Sequence, residues 1–130
     1  MNPELRQLFD EQLERVIAEL PQLVKDLMQD LPLLVEDYPS REVMRQTGAQ
    51  HRSELCGLYT GIPLINRSVE HSGVLPDVVT IYRQGIMSQA RRRGVIDLNK
   101  LRQQIRITIL HEYGHHHGLT EEDLDELGYG

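Results

Sequence analysis

Two histidines and one glutamate near the C-terminal end of the sequence have the types and spacing of a zinc-dependent hydrolytic site. Residues 111–115 read HEYGH, so His111 and His115 are four positions apart and Glu112 follows the first histidine. Neutral imidazole nitrogens bind zinc at about 2.0–2.1 Å, and a catalytic zinc site keeps one position for water beside three protein ligands. Glu112 is expected to take a proton from that water and pass it to the leaving amine. The pattern therefore predicts two metal ligands and a general base.

The residues after this motif supply a turn and a third ligand. The sequence continues HHHGLTE over residues 115–121, which places Gly118 three positions after His115 and Glu121 three positions after the glycine. Glycine adopts positive φ readily, so Gly118 can end the helix and turn the chain back towards the ion. Glu121 is therefore predicted to be the third ligand of one zinc ion. His116 and His117 are rotated by about 100° and 200° from His115 on a regular helix, so we assign them no ligand role.

A helix is needed to bring these side chains to one ion. Asp97 is a good N-cap for a helix that runs to a stop at Gly118. The alternative is a half-buried strand, because Ile105, Ile107 and Ile109 alternate with polar residues. In a strand the two histidines would be about 13 Å apart, whereas in a helix they are about 6 Å apart. If the histidines share a metal, the segment is helical.

Helical patterns also occur elsewhere in the chain. Apolar residues recur at three- and four-residue steps over residues 4–20, which is typical of an amphipathic helix. A second short helix is predicted from residue 23 up to Pro32, because proline cannot continue the hydrogen-bond ladder. A further short helix is predicted over residues 84–92, and a final one after Thr120, which is followed by acidic residues.

Strand patterns complete the prediction of the fold. Residues 33–37 are short, apolar and bounded by prolines, and residues 78–82 are rich in β-branched and aromatic side chains. Residues 40–77 mix Gly, Pro, Asn and Ser with short apolar runs, so they are predicted to be irregular connections with room for one strand. The sequence thus predicts a single α+β domain over residues 1–130, with a few-stranded sheet and helices on either side.

Composition and charge argue against several classes of protein. Apolar residues make up 39% of the 130 residues and the formal net charge is -6, which is typical of a soluble protein and unfavourable for binding nucleic acid. The run Arg91-Arg92-Arg93 is interpreted as a solvated loop before the following helix. Cys56 is the single cysteine, and no segment approaches about 18 consecutive apolar residues. We therefore expect a cytoplasmic protein with neither a nucleic-acid partner nor a membrane partner.

Hydrolysis of an amide also needs a donor for the negative charge that forms on the attacked carbonyl oxygen. Tyr82, Tyr113 and Tyr129 are the candidates in the sequence, and each is more readily explained as a packing residue. His51 and His71 lie in the irregular region and are interpreted as solvated side chains. The identity of the donor is therefore open at this point.

Three sequence blocks resemble the minimal zincin-like metallopeptidases of bacteria. They are residues 58–64 (LYTGIPL), residues 75–83 (LPDVVTIYR) and residues 109–119 (ILHEYGHHHGL). The resemblance implies a shortened zincin fold in which the strand over residues 78–82 borders the cleft and pairs with an extended peptide.

The resemblance also implies roles for single residues. It assigns zinc to His111, His115 and the acid at Glu121, with Glu112 as the catalytic base. The family commonly has Asp where Glu121 stands. Glu is one methylene longer, so its carboxylate must approach the ion by a different rotamer.

Two functions follow from these patterns. The leading hypothesis is a zinc-dependent metallopeptidase that acts on an extended peptide or protein substrate, with Glu112 as general base and then general acid. The alternative is a metal-binding domain without turnover, a regulatory or interaction module in which zinc mainly secures the C-terminal turn. The oligomeric state is left open by the sequence.

Overall fold

The computed structural model describes residues 1–61 and 77–116, together with Glu122 and Asp125. Five helices and two small sheets occur within these residues. In chain order they are α1 (Pro3–Ala18), α2 (Gln22–Asp30), β1 (Leu33–Glu36), α3 (Arg41–Thr47), β2 (Gly57–Thr60), β3 (Val78–Tyr82), α4 (Arg83–Gln89), β4 (Arg91–Arg92), β5 (Val95–Ile96) and α5 (Leu98–His116). The predicted α+β class, a few-stranded sheet with flanking helices, is confirmed.

Among the described residues, β3 is the central strand of a three-stranded sheet with the order β1-β3-β2. β1 lies parallel to β3 and β2 lies antiparallel to it, with Gly57 opposite Ile81. Four of the five β3 residues are buried, which explains the run of Val and Ile by which the strand was recognised. The strands predicted over residues 33–37 and 78–82 are confirmed, and β2 is the one strand allowed for within residues 40–77.

α1 packs against α5 with its apolar face. Phe9 is completely buried, and Leu13 and Val16 are less than a tenth exposed. The Asn2 side chain caps the helix, because its Oδ1 accepts a hydrogen bond from the Glu4 backbone N–H at 2.7 Å. The helix predicted over residues 4–20 is therefore confirmed, with its end two residues earlier than expected.

α5 is one uninterrupted helix. Asp97 caps it, because Asp97 Oδ1 accepts a hydrogen bond from the Lys100 backbone N–H at 3.1 Å. Leu101, Ile105 and Ile109 follow at four-residue steps and are completely buried. The predicted helix is confirmed, and the alternation of isoleucines does not produce a strand.

α3 lies where only irregular connections were predicted, so that prediction is wrong for this stretch. Ser40 caps the helix by accepting a hydrogen bond from the Val43 backbone N–H at 3.1 Å, and Gly48 ends it with a φ of 78°. No residue of α3 is buried. The helix therefore lacks the repeating apolar face that a periodicity argument detects, although its end signals are present in the sequence.

The basic run that begins at Arg91 forms a β-hairpin, so its interpretation as a loop is wrong. β4 pairs antiparallel with β5, and Arg93 and Gly94 form the turn between them. The helix predicted over residues 84–92 is present as α4 but ends earlier, where the hairpin begins. The three arginine side chains are exposed, as the sequence predicted.

A network of ion pairs links α1 to the sheet at the start of α4. Arg83 binds Asp10 and Asp37 with N···O distances of 2.9 Å, and its own side chain is only 12% exposed. Arg6 also binds Asp37, with distances of 3.2 and 2.6 Å from its Nε and Nη2 atoms. The hydrogen bond from Arg6, supported by the one from Arg83, holds the pKa of Asp37 below its ordinary value despite the opposing effect of burial.

Candidate metal centre

His111 and Glu112 lie on the last turns of α5, and both side chains are partly exposed. Because α5 remains helical through His116, its backbone places His115 about 6 Å beyond His111 along the helix axis and on the same side. The side chain of His115 lies outside the described residues. Two imidazoles at this helical spacing suit one zinc ion, since imidazole nitrogen is among the donors that zinc prefers.

Glu112 lies against strand β2 at a glycine. A Cβ atom added to Gly57 would lie 3.3 Å from Glu112 Cγ and 2.8 Å from Thr108 Cγ2. Any larger residue would therefore push the strand and the helix apart, and glycine permits the close approach. Sequence reasoning missed Gly57, although it immediately precedes the block over residues 58–64 that carries the family resemblance.

The hydrogen bonds of β2 determine which of its backbone groups face outwards. The Tyr82 backbone N–H donates to Cys56 O at 2.8 Å. Because such groups alternate along an antiparallel pair, Leu58 also faces β3, whereas Gly57 and Tyr59 direct their N–H and C=O groups away from it. Within the part of the chain that the structure describes, β2 is an edge of the sheet, and this edge lies beside Glu112.

β3 does not border the cleft with a free edge, so that prediction is wrong. It pairs with β1 on one side and with β2 on the other, and Val79 has a partner residue on both strands. A strand with neighbours on both sides has no backbone groups left for an added peptide. The sequence pattern identified a buried strand correctly but did not indicate its position in the sheet.

Tyr59 is a second residue of β2 that sequence reasoning missed. Its hydroxyl donates a hydrogen bond to Asp77 Oδ2 at 2.7 Å. Because side chains alternate along a strand, Tyr59 faces the same side of the sheet as Gly57, the side on which α5 packs. Tyr59 and Asp77 belong to two of the sequence blocks that carry the family resemblance. Their presence in these blocks is the sequence feature that could have identified them. The pair adds a phenol hydroxyl and a carboxylate to the side of the sheet that faces the helix.

The tyrosines considered as charge-stabilising donors have structural roles where they are described. Tyr113 is completely buried, its hydroxyl donates to Leu31 O at 2.7 Å, and burial raises its pKa well above the ordinary value. Tyr82 is only 2% exposed, and burial, together with the charge of Glu36, raises its pKa to about 12. Both are packing residues, which was the simpler interpretation of each.

Several predicted positions fall in parts of the chain that the structure does not describe. They are the turn at Gly118, the ligand Glu121, and His71, His117, Thr120 and Tyr129. The roles predicted for them stay predictions. Within the described residues no three His, Cys, Asp or Glu side chains come together as a metal site. Glu122 and Asp125, which are described, are helical and exposed in the segment where a final helix was predicted.

A short sheet with a His-Glu helix against its edge is an arrangement that suits a metal-dependent hydrolase. The family model of zincin-like metallopeptidases matches residues 28–130, and the chain belongs to this family. The resemblance seen in the sequence is thereby confirmed. Strands β1 to β5 and helix α5 lie in the matched region, whereas α1 lies outside it. The comparison with curated proteins gives no match. None of the described helices is both long and apolar enough to cross a lipid bilayer.

Proposed function

We propose that the protein is a zinc-dependent peptidase that cleaves peptide bonds in an extended peptide or protein substrate. One observation carries this proposal. The stem of Glu112 lies against the edge strand β2, on the helix that also carries His111. A general base is thereby held beside a strand edge where a peptide backbone can bind.

His111, His115 and Glu121 are proposed to hold one zinc ion, because two imidazoles and one carboxylate are a common ligand set of catalytic zinc. When bound, zinc polarises a water molecule and the scissile carbonyl group. Glu112 then accepts the proton of the attacking water on a carboxylate oxygen and gives it to the leaving nitrogen. The partly exposed position of Glu112 supports this role, since both water and substrate must reach it.

The substrate is proposed to bind along β2 in an extended conformation. The N–H and C=O groups of Gly57 face away from β3, in the direction from which such a peptide would form main-chain hydrogen bonds. The missing side chain at Gly57 lets α5 approach this strand closely, so that Glu112 lies against it. Substrate selection by main-chain contacts alone would be broad.

The substitution Glu112→Gln tests the proposal. It removes the base but keeps a side chain of similar size, so the variant should retain zinc and lose cleavage of a broad peptide mixture by about a hundredfold or more. Zinc is measured by elemental analysis and cleavage by mass spectrometry. Glu122→Gln is the matched control, because Glu122 is exposed on the described part of the C-terminal segment and should not affect turnover.

Two results would count against the proposal. One is stoichiometric zinc in both wild type and Glu112→Gln with no cleavage by either. The other is equal cleavage by the two proteins, which would assign the activity to another group or to a contaminant.

The proposal includes a location and a type of partner. The single half-buried cysteine, Cys56, suits a reducing compartment, so the proposed location is the cytoplasm. The proposed partner is a peptide or protein substrate rather than a nucleic acid or a membrane.

A further inference from the structure

The β4–β5 hairpin carries a cluster of positive charge that the proposed chemistry does not use. Arg91 and Arg92 form β4, Arg93 stands in the turn, and all three side chains are exposed. Residues 91–106 carry six of the chain's 14 Lys and Arg residues against one acid, Asp97. This stretch is therefore positive in a chain whose formal net charge is -6.

The hairpin arginines make few interactions of their own. Arg92 lies 4.0 Å from the Asp97 carboxylate, and its side chain is 67% exposed. Arg91 Nη1 donates to Gly94 O at 3.4 Å, which is a contact within the hairpin. Within the described ranges, neither Arg91 nor Arg93 has an ion pair. Their charges are therefore available to a partner.

The backbone of the turn is unfavourable for arginine. Arg93 has a φ of 52° and Gly94 a φ of 81°, and a two-residue turn with two positive φ angles favours Asn followed by Gly. Among the described residues, Arg93 is the only non-glycine residue with positive φ. A residue with a Cβ atom is destabilising where the backbone φ angle is positive. The turn thus holds a charged side chain at its tip although a less strained residue would suit the backbone.

A groove of about 220 Å³ lies beside the hairpin, along α5. Gln89, which precedes the hairpin, forms one wall, and Lys100, Gln104 and Ile107 contribute from the helix. These helical residues are three or four positions apart, so they share one face of α5. His111 follows Ile107 by four residues on the same face, about 16 Å from Lys100 along the axis.

We propose that the hairpin and this groove form a docking site for an acidic segment of a protein substrate, which directs an adjoining segment towards His111. This inference rests on the proposed peptidase function. An extended chain advances about 3.3 Å per residue, so about five residues cover the distance of about 16 Å. Acidic residues are therefore expected about five or more positions from the cleaved bond.

Exposed apolar residues favour a protein segment over a nucleic acid. Val95, which pairs with Arg92 across the hairpin, is 69% exposed, and Leu98 is 42% exposed. A phosphate backbone offers these side chains no apolar partner, whereas a peptide that mixes acidic and apolar residues matches both the charge and the apolar surface.

The test measures binding separately from cleavage. The full chain carrying Glu112→Gln is titrated into a fluorescein-labelled peptide that alternates Glu and Leu, and into the same peptide with Gln for Glu, and anisotropy is recorded. The acidic peptide should bind more tightly. Adding Arg91→Glu and Arg92→Glu should weaken its binding about tenfold. The pair Arg41→Glu and Arg45→Glu, on α3, is the control with the same change of charge.

A further variant separates the charge from the fold of the hairpin. Arg93→Asn suits the positive φ, so the turn should form while one positive charge is removed. Its affinity for the acidic peptide should fall severalfold. An unchanged affinity in this variant and in the double charge reversal would overturn the docking site.

Other results would also overturn it: equal binding of the two peptides, equal weakening by the α3 control, or tighter binding of a single-stranded DNA oligonucleotide. The two proposals fail separately. If wild type cleaves peptides but the hairpin variants bind normally, only the docking site fails. If the hairpin binds the acidic peptide and wild type cleaves nothing, the peptidase proposal fails, and with it the role of the hairpin in directing a substrate, whereas the binding of an acidic segment stands.

Discussion

Gly57 shows how one missing side chain determines the geometry beside Glu112. A methyl group added there would meet Thr108 Cγ2 at 2.8 Å, closer than carbon atoms approach without a shift of the backbone. The edge strand β2 and helix α5 are in contact at this point. The residue is therefore expected to influence both stability and the orientation of Glu112.

The double substitution of Gly57 and Thr108 tests this contact. Gly57→Ala should lower the free energy of unfolding by about 1–3 kcal/mol, because the helix and the strand must separate. Thr108→Ser removes Cγ2, the methyl group that a Cβ atom at position 57 would meet. It keeps the hydroxyl that donates to Gln104 O at 2.8 Å. The double variant should therefore lose less than the sum of the single losses, as measured by urea denaturation. If the losses of unfolding free energy were additive, the side chains at positions 57 and 108 would not be in contact.

At the scale of elements, the ion-pair network around Asp37 joins α1 to the sheet and to the start of α4. Arg6 comes from α1 and Arg83 from α4, and Asp37 follows β1. Since α1 lies outside the region matched by the family model, this network attaches an additional helix to the matched part of the chain. Asp37 binds both arginines, and Asp10 of α1 provides a second carboxylate for Arg83.

Stability should therefore depend on pH through Asp37. Its pKa in the folded protein is lower than the ordinary value of about 3.9, so its contribution is complete above that value and is lost as the pH falls through the lower folded pKa. Asp37→Asn should reduce the free energy of unfolding at pH 7 by about 1–2 kcal/mol. The difference from wild type should shrink below about pH 4. Urea denaturation across this range measures it.

Asp30→Asn is the control for this experiment. Asp30 is exposed at the end of α2 and has no ion pair among the described residues. Its substitution should change the pH profile of stability little. A profile for Asp37→Asn that runs parallel to wild type down to pH 2 would contradict the assigned role of Asp37.

At the scale of the whole molecule, the described core is apolar and does not rest on the candidate metal centre. The buried faces of α1, β3 and α5 meet around Phe9, Ile81 and Ile105, each of which is completely buried. A core of this kind should remain folded when zinc is removed. The alternative function, in which zinc stabilises the structure, requires that the protein unfold when zinc is removed.

Removal of zinc with a chelator should therefore leave a cooperatively unfolding protein of nearly unchanged helix content. The loss of stability should equal the binding term, about 2.7 kcal/mol when free zinc had been a hundred times its dissociation constant. Circular dichroism melts with and without zinc measure both quantities. Collapse of the helical signal on chelation would favour the non-catalytic metal-binding domain over the peptidase.

Local features of the sequence predicted much of the fold. The helix that carries His111 follows from Asp97 and from Leu101, Ile105 and Ile109, because capping and a 3.6-residue period involve neighbours in sequence. α3 was missed because a short helix with no buried residue has no repeating apolar face. The basic run was misread because a two-residue turn with Arg in it departs from the usual turn residues.

The sequence by itself determined the motif of His111, Glu112 and His115, the family, the helical platform and the buried character of β3. Only the tertiary structure decided that β2 is the edge strand beside Glu112, that Gly57 permits their contact, and that Gln89, just before the hairpin, forms one wall of a groove along α5. The physical reason is the separation in sequence between the residues that interact. Capping and periodicity act over a few residues, whereas strand order and close approaches arise between segments far apart in the chain, and no local pattern encodes them.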